Sequence, residues 1–352
     1  MSAARIRLGL VGTGWVAGQH VAGAQGVAAG DVEIVAACDP RRAVLDEFCD
    51  RHGIPHRFET ADGMMASGTV DAVVLLTPPS VRWEVIAPAL ERGLHVLVEK
   101  PFAQSGPDAV RFTEAAEAAG VVMAVSQNFR WFPEYSWLAS RVQRADTGRT
   151  DFLEARTFQN RPQAPGVWRS EEAKLEMAIF SVHLIDRLQW LAPSVPTSVR
   201  ALTRRRRGSA ISGEQFSSLL VEFADGIVGS VTSSWTSRAL PSNTFRIDTD
   251  TGSAVVERSL PMSGTARGIA AFGGEEEHID FAETADGEHA AVSYGSSAVE
   301  FARAIQEQRE PAHSARNNLR TMGIMEAAYR SASRGGAPVT LEEVLYGHPA
   351  DG

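Results

Sequence analysis

Lys100 is one of two lysines in a chain with 34 basic residues; the other is Lys174, and arginine supplies all the remaining positive side chains. A desolvated lysine can lose its proton whereas arginine effectively cannot, so a proton-transferring site would select lysine; the alternative is a surface lysine that caps a strand. It follows His95-Val96-Leu97-Val98-Glu99 and precedes Pro101, the pattern of a strand running into a turn. His183 lies in the apolar stretch Met177 to Leu191, which reads as a helix; its residue type allows either an acid–base group or a satisfied core histidine. Near the start, Gly12-Thr13-Gly14-Trp15-Val16-Ala17 follows one strand and opens one helix. Gly12 permits the turn, Gly14 lets a pyrophosphate approach the backbone, Ala17 allows close helix packing, and the helix N-terminus attracts phosphate. Asp39, 22 residues past Ala17 at the end of the second strand, can accept both hydroxyls of an adenosine ribose. The ligand so described is a dinucleotide. A carboxylate at position 39 repels a 2′-phosphate and favours NAD, while Arg41 and Arg42 beside it can bind that phosphate and admit NADP.

The elements that must position these groups follow from periodicity. Arg5 to Val11, Glu33 to Cys38, Ala72 to Leu76, His95 to Val98 and Val121 to Ser126 read as strands. Helical stretches near Trp15 to Gly26, Arg41 to His52, Val81 to Arg92 and Pro107 to Ala119 separate them, which predicts an α/β chain whose residues 1–126 form a Rossmann domain, a doubly wound parallel sheet. From Asp151 the rhythm lengthens to Phe152 to Phe158, Ser198 to Arg204, Phe216 to Phe223, Ile227 to Trp235 and Thr244 to Asp248, with Asp225-Gly226 marking a tight hairpin. Residues 127–352 are therefore expected to form an α+β domain with a large open, mostly antiparallel sheet. Two helices, Ser297 to Arg309 and Ala315 to Arg334, complete the chain, and the second, 315–334, is a candidate to pack back on the first domain.

Composition narrows the function class. The 352 residues suffice for two domains, and 44% hydrophobic with 22% charged residues is ordinary globular usage. A net charge of −9 provides no basic field for nucleic acid, and no apolar run of about 18 residues exists to span a membrane. Cys38 and Cys49 read as reduced thiols in a cytoplasmic protein, with no thiolate metal site and no metal expected. The block Arg204 to Arg207 reads as a solvated loop.

Five segments in order carry a family resemblance: Thr77-Pro78-Pro79; Glu99-Lys100-Pro101; Asn128-Phe129-Arg130 with Pro133; Gly166-Val167-Trp168-Arg169; and His183-Leu184-Ile185-Asp186. Over nearly the full chain the sequence resembles the glucose-fructose oxidoreductase, inositol dehydrogenase and MocA (Gfo/Idh/MocA) superfamily. The resemblance implies Lys100 and His183 as catalytic residues and a cis bond before Pro101. It implies a cofactor site of Gly12, Thr13, Gly14, Trp15, Val16, Asp39, Arg41, Thr77, Pro78, Glu99, Lys100, Asn128, Trp168 and Arg169. Arg130, Trp168, His183 and Asp186 join Lys100 toward substrate. The implied activity is hydride transfer between NAD, or NADP, and a CH–OH group of a sugar, cyclitol or related polyol. Glycoside cleavage with retained cofactor and a non-catalytic nucleotide and sugar sensor are the alternatives. A homo-oligomer of two or four copies is expected to cover the open sheet. Three positions depart from the family pattern: Ile179 stands where relatives carry aspartate, Ser181 replaces a glycine, and Arg82 replaces a histidine. In a regular helix residue 179 would share a face with His183, whereas Glu176, about 10 Å away along the axis, reaches the site only if the helix begins irregularly.

Overall fold

The computed structural model describes residues 4–144, 146–163, 166, 171–260, 264–284 and 288–347. The chain forms two compact units, Met1–Trp131 with Gly287–Leu319, and Phe132–Asp286 with Arg320–Gly352. A single cut after residue 126 is thus too simple, because a C-terminal segment returns to the first unit.

In the first unit, strands β1 (Ile6–Val11), β2 (Val32–Cys38), β3 (His56–Phe58), β4 (Ala72–Leu75), β5 (His95–Glu99) and β6 (Met123–Ser126) form a parallel sheet in the order β3-β2-β1-β4-β5-β6. Strand order reverses between β1 and β4, the point at which such folds bind ligands beyond the strand carboxyl ends. All four residues of β4 are buried, as both faces of a parallel sheet are covered by helices. On one face Leu8, Leu10, Val74 and Leu97 pack with Ala17, Val21 and Phe301. The sequence reading lacks β3 because three residues are too few to show alternation.

The helix that packs on α1 (Trp15–Gln25) is Glu288–Gln306, while the first turn of the helix Ala315–Ser333 meets the first unit through Arg316 and Glu117. Glu288–Gln306 begins nine residues before Ser297, within a stretch containing Gly295, Ser296 and Ser297, residues that rank low as helix formers. Their smallness has a use: a Cβ on Gly23 of α1 would lie 2.5 Å from the Gly295 amide nitrogen, so only two glycines let these backbones meet.

The second unit is built on nine strands in the order β14-β13-β12-β11-β7-β10-β9-β8-β15. They are β7 (Thr150–Phe158), β8 (Pro196–Arg204), β9 (Phe216–Phe223), β10 (Val228–Ser234), β11 (Ser242–Thr249), β12 (Gly252–Arg258), β13 (Gly264–Phe272), β14 (Glu275–Thr284) and β15 (Val339–Thr340). Every neighbouring pair is antiparallel except β7 with β10. Gly226, at φ +79°, makes the β9–β10 hairpin as the Asp225-Gly226 pair predicts. Leu153, Ala155, Val231, Phe245 and Ile247 are buried on one face, where Leu188 lies against Gly229 and Trp137 against Gly268. Alternation turns Phe152, Phe158, Leu220, Val228, Val255 and Ile269 to the other face, where they are half-buried or exposed.

His313, in the first unit, is fully buried, and neither ring nitrogen makes a hydrogen bond among the described residues. Burial, followed by the charge of Arg130, pushes its pKa down to about 3. The unfolded chain binds this proton first as pH falls below about 6.5, so stability present above that pH is lost toward pH 3, at up to about 1.4 kcal/mol per pH unit. His313→Leu, which removes no hydrogen bond, is expected to flatten the acid limb of the Tm–pH profile; an unchanged slope would exclude this assignment.

Candidate active site

The turn after β1 has the form its sequence suggests. Gly12 takes φ +100° and donates from its amide to the Cys38 carbonyl at 2.8 Å. Gly14 stands at the N-cap of α1 with no side-chain cap and no acidic residue in the first turn, and nothing lies within 4 Å of a Cβ placed on it. The first-turn amides thus face a space that fits a pyrophosphate. Further along the same edge, the Thr77 hydroxyl, the Gln127 amide and the Asn128 carboxamide oxygen are buried without hydrogen-bond partners among the described residues, while Asn128 Nδ2 donates to Ser293 at 3.1 Å. Unmet polar groups at the ends of β4 and β6 suit a polar ligand, and this edge fits a dinucleotide.

Asp39 is buried, and both of its oxygens are engaged. Oδ1 accepts from the Arg41 amide at 3.0 Å and Nε at 2.9 Å. Oδ2 accepts from Arg41 Nη2 at 2.9 Å, the Thr13 hydroxyl at 3.0 Å and the Thr13 amide at 3.2 Å. Arg41 foremost, then the backbone and Thr13 donors, hold this carboxyl well below the usual range in spite of burial. The sequence sets Asp39 and Arg41 against each other as NAD and NADP determinants; the fold pairs them. Ribose hydroxyls can reach the carboxylate only by displacing the largely exposed Arg41, and the clamp neutralises the charge that repels a 2′-phosphate.

At the end of β5, Glu99 is buried with its Oε1 3.0 Å from His20 Nε2, and the His20 ring packs 4.6 Å from that of Tyr294. Burial works to raise the Glu99 carboxyl, but the His20 bond and charge and the charge of Lys100 bring it below its usual value. Lys100 is half-buried and its bond to Pro101 is cis.

In the second unit, His183 is the second residue of the helix Val182–Leu191, and Met177–Ser181 before it is a π-helix. The expectation that Ile179 shares a face with His183 assumes α geometry, and the wider π turn removes that register. The helix does begin irregularly, yet Glu176 has other partners: it accepts from Ser181 at 2.7 Å, Ser217 at 2.6 Å and Ser233 at 2.6 Å. Burial pushes its carboxyl up, against the pull of the three hydroxyls. Ser181, in the place of a glycine, closes the π turn onto Glu176, and Glu176 ties that turn to β9 and β10. Glu214 accepts from the Leu175 and Met177 amides, each at 2.9 Å, and from the Tyr329 hydroxyl at 2.8 Å. Glu214, Tyr329, Ser217 and Ser233 carried no sequence signal, since nothing local relates them to His183. Asp186, one turn beyond His183, is buried and accepts from Thr321 at 2.9 Å. Arg130 in the first unit is buried, with bonds of 2.7 Å to the Ala312 carbonyl and 2.7 Å to Asn317. These bonds tie it to the segment before the helix Ala315–Ser333 and to the first turn of that helix. Trp168 and Arg169 lie outside the described residues.

Fold and site define a dinucleotide-dependent enzyme of two units. Residues 6–127 match the NAD-binding Rossmann-fold oxidoreductase family and residues 135–255 the GFO/IDH/MocA C-terminal domain. The chain belongs to the Gfo/Idh/MocA family and is an NAD-binding oxidoreductase. It is similar to a D-apiose dehydrogenase of Paraburkholderia graminis, at 27% identity over 98% of this chain and 92% of that protein. It is 31% identical to inositol 2-dehydrogenase 4 of Saccharopolyspora erythraea, over 66% of this chain and 67% of the relative. The fold is shared, with TM-score 0.86, 21% identity and coverage of 96% and 99% of the two chains, by an oxidoreductase from Agrobacterium radiobacter solved with NAD+, L-tartaric acid and magnesium.

Asp39→Ala is expected to weaken NADH about tenfold and NADPH by less than about threefold in fluorescence titrations, since it removes the ribose acceptor and frees Arg41. Equal losses would refute the assignment of Asp39 to the ribose.

Proposed function

We propose that the protein interconverts a carbinol and a carbonyl on a sugar, cyclitol or related polyol. The observation that carries this reading is Lys100, placed at the carboxyl end of β5 beside the buried Glu99 on the edge that fits the dinucleotide. NAD, or NADP, supplies the hydride acceptor when bound. Lys100 Nζ stabilises the developing alkoxide oxygen, and His183 takes the hydroxyl proton. Thr77, Pro78 and Asn128 line the nicotinamide half of the edge, and Gly12 to Val16 with Asp39 and Arg41 the adenosine half. The dehydrogenase names of the relatives support a polyol over a sensor without catalysis. Lys100→Met should abolish turnover across a polyol panel, followed by absorbance of the reduced nicotinamide, and leave NAD affinity nearly unchanged. His183→Asn should retain measurable activity. Loss in His183→Asn as complete as in Lys100→Met would refute this division of labour.

The same reading includes a homo-oligomer of two or four copies in the cytoplasm. Half-exposed Phe152, Phe158, Val255 and Ile269 share one sheet face with exposed Leu220 and Val228, which supports a second copy as its cover. The two buried free cysteines suit a reducing compartment. Sedimentation at micromolar concentration should show a dimer or tetramer that Leu220→Arg shifts toward monomer; a wild-type monomer would count against the interface.

A further inference from the structure

Arg82 takes no part in the function above, yet it is among the most deeply buried large side chains of the protein. It stands just before the helix Trp83–Glu91, and its side-chain hydrogen bonds among the described residues all go to backbone. Its guanidinium donates to three backbone carbonyls. Nε and Nη2 donate to Thr77 O at 3.1 and 3.0 Å, and Nη1 donates to Phe102 O at 3.1 Å and to Pro101 O. Burial lowers its pKa to about 10, with Glu99 as the opposing carboxylate, so it stays charged at neutral pH.

The placement of these carbonyls gives the arginine its use. The β4–β5 ladder ends at Leu75 paired with Val98. Beyond it, the turn carrying Thr77 and the turn carrying Lys100, Pro101 and Phe102 have no strand pairing with each other, and Arg82 spans the gap. A planar fork with five N–H groups on three nitrogens spans three separated carbonyls in one fixed geometry; histidine has at most two donors, and a lysine ammonium is a single point. We propose that Arg82 is a positioning residue for Lys100, fastening the Lys100 turn to the Thr77 turn so that the ammonium and the nicotinamide edge keep one geometry. The proposal rests on the reading of Lys100 as the group that meets substrate. Glu99 on β5 is the carboxylate whose charge acts on Arg82, and Glu99 in turn meets Lys100 through its charge and His20 on α1, whose ring packs on Tyr294.

With only two lysines in the chain, Lys174→Arg leaves Lys100 as the sole lysine, and reductive methylation with 13C-formaldehyde then reports it by NMR beside the N-terminal amine. In this background Arg82→Gln and Arg82→Met are each expected to displace the Lys100 resonance and its titration midpoint, whatever the substrate. In the unmethylated enzyme kcat should fall by about a hundredfold while the NAD Kd changes by less than about threefold. Arg82→Lys, with the charge but not the fork, should recover less than about a tenth of the lost kcat. If Arg82→Met does not fold, Arg82→Gln carries the test. A folded Arg82→Gln with lowered Tm but an unmoved Lys100 resonance and parental kcat would overturn the proposal and leave Arg82 merely structural. If Lys100→Met retained turnover while the resonance moved in Arg82→Gln, the positioning would stand and the proposed function would fall.

Discussion

Parallel strands that all end at one edge leave the turns beyond them without ladder partners, and the polar groups of those turns must be met by side chains. In the first unit this constraint recurs at successive strands. After β2, Asp39 gathers Thr13 and Arg41. At the end of β5, Glu99 meets His20 from α1. Past β4 and β5, three carbonyls share the Arg82 guanidinium. After β6, Asn128 reaches Ser293 on a helix that returns from far along the chain. Each turn is held by a group from another element, and the edge that fits the dinucleotide is thereby fixed before any ligand arrives.

The returning helix is therefore part of the site's foundation. Its approach to α1 depends on Gly23 and Gly295, where a Cβ on either residue would collide with backbone of the other. The contact sets Tyr294 against His20 and Ser293 beside Asn128. A side chain at either glycine would press the helices apart and disturb Glu99 through His20.

The second unit solves a comparable problem with acids. Glu176 and Glu214 bracket the π turn that leads into His183: one collects three serine hydroxyls, the other two backbone amides and a tyrosine. Two of those serines stand on β9 and β10, so the sheet itself sets the start of the histidine helix. A buried carboxyl with this many donors is tolerated because its acceptor capacity is met within the protein.

Local chemistry was legible in the sequence wherever a residue's role depends on its near neighbours. The glycine turn after β1, the Asp225-Gly226 hairpin, the strand that runs into Lys100 and the doubly wound parallel sheet all follow from spacing and period within a few residues. Strands β12 to β14 escaped because small and acidic residues, as in Glu275-Glu276-Glu277, blur the alternation. Arg41 closing on Asp39, Arg82 on Pro101, and Glu176 on Ser217 and Ser233 were decided by tertiary structure alone. The last three of those pairings join residues 19 to 57 positions apart. In the first, only the folded backbone determines which way the guanidinium turns. A side chain's type sets what it can bond, but its partner is whichever unmet polar group the packed elements bring within about 3 Å, and sequence periodicity contains no record of that juxtaposition.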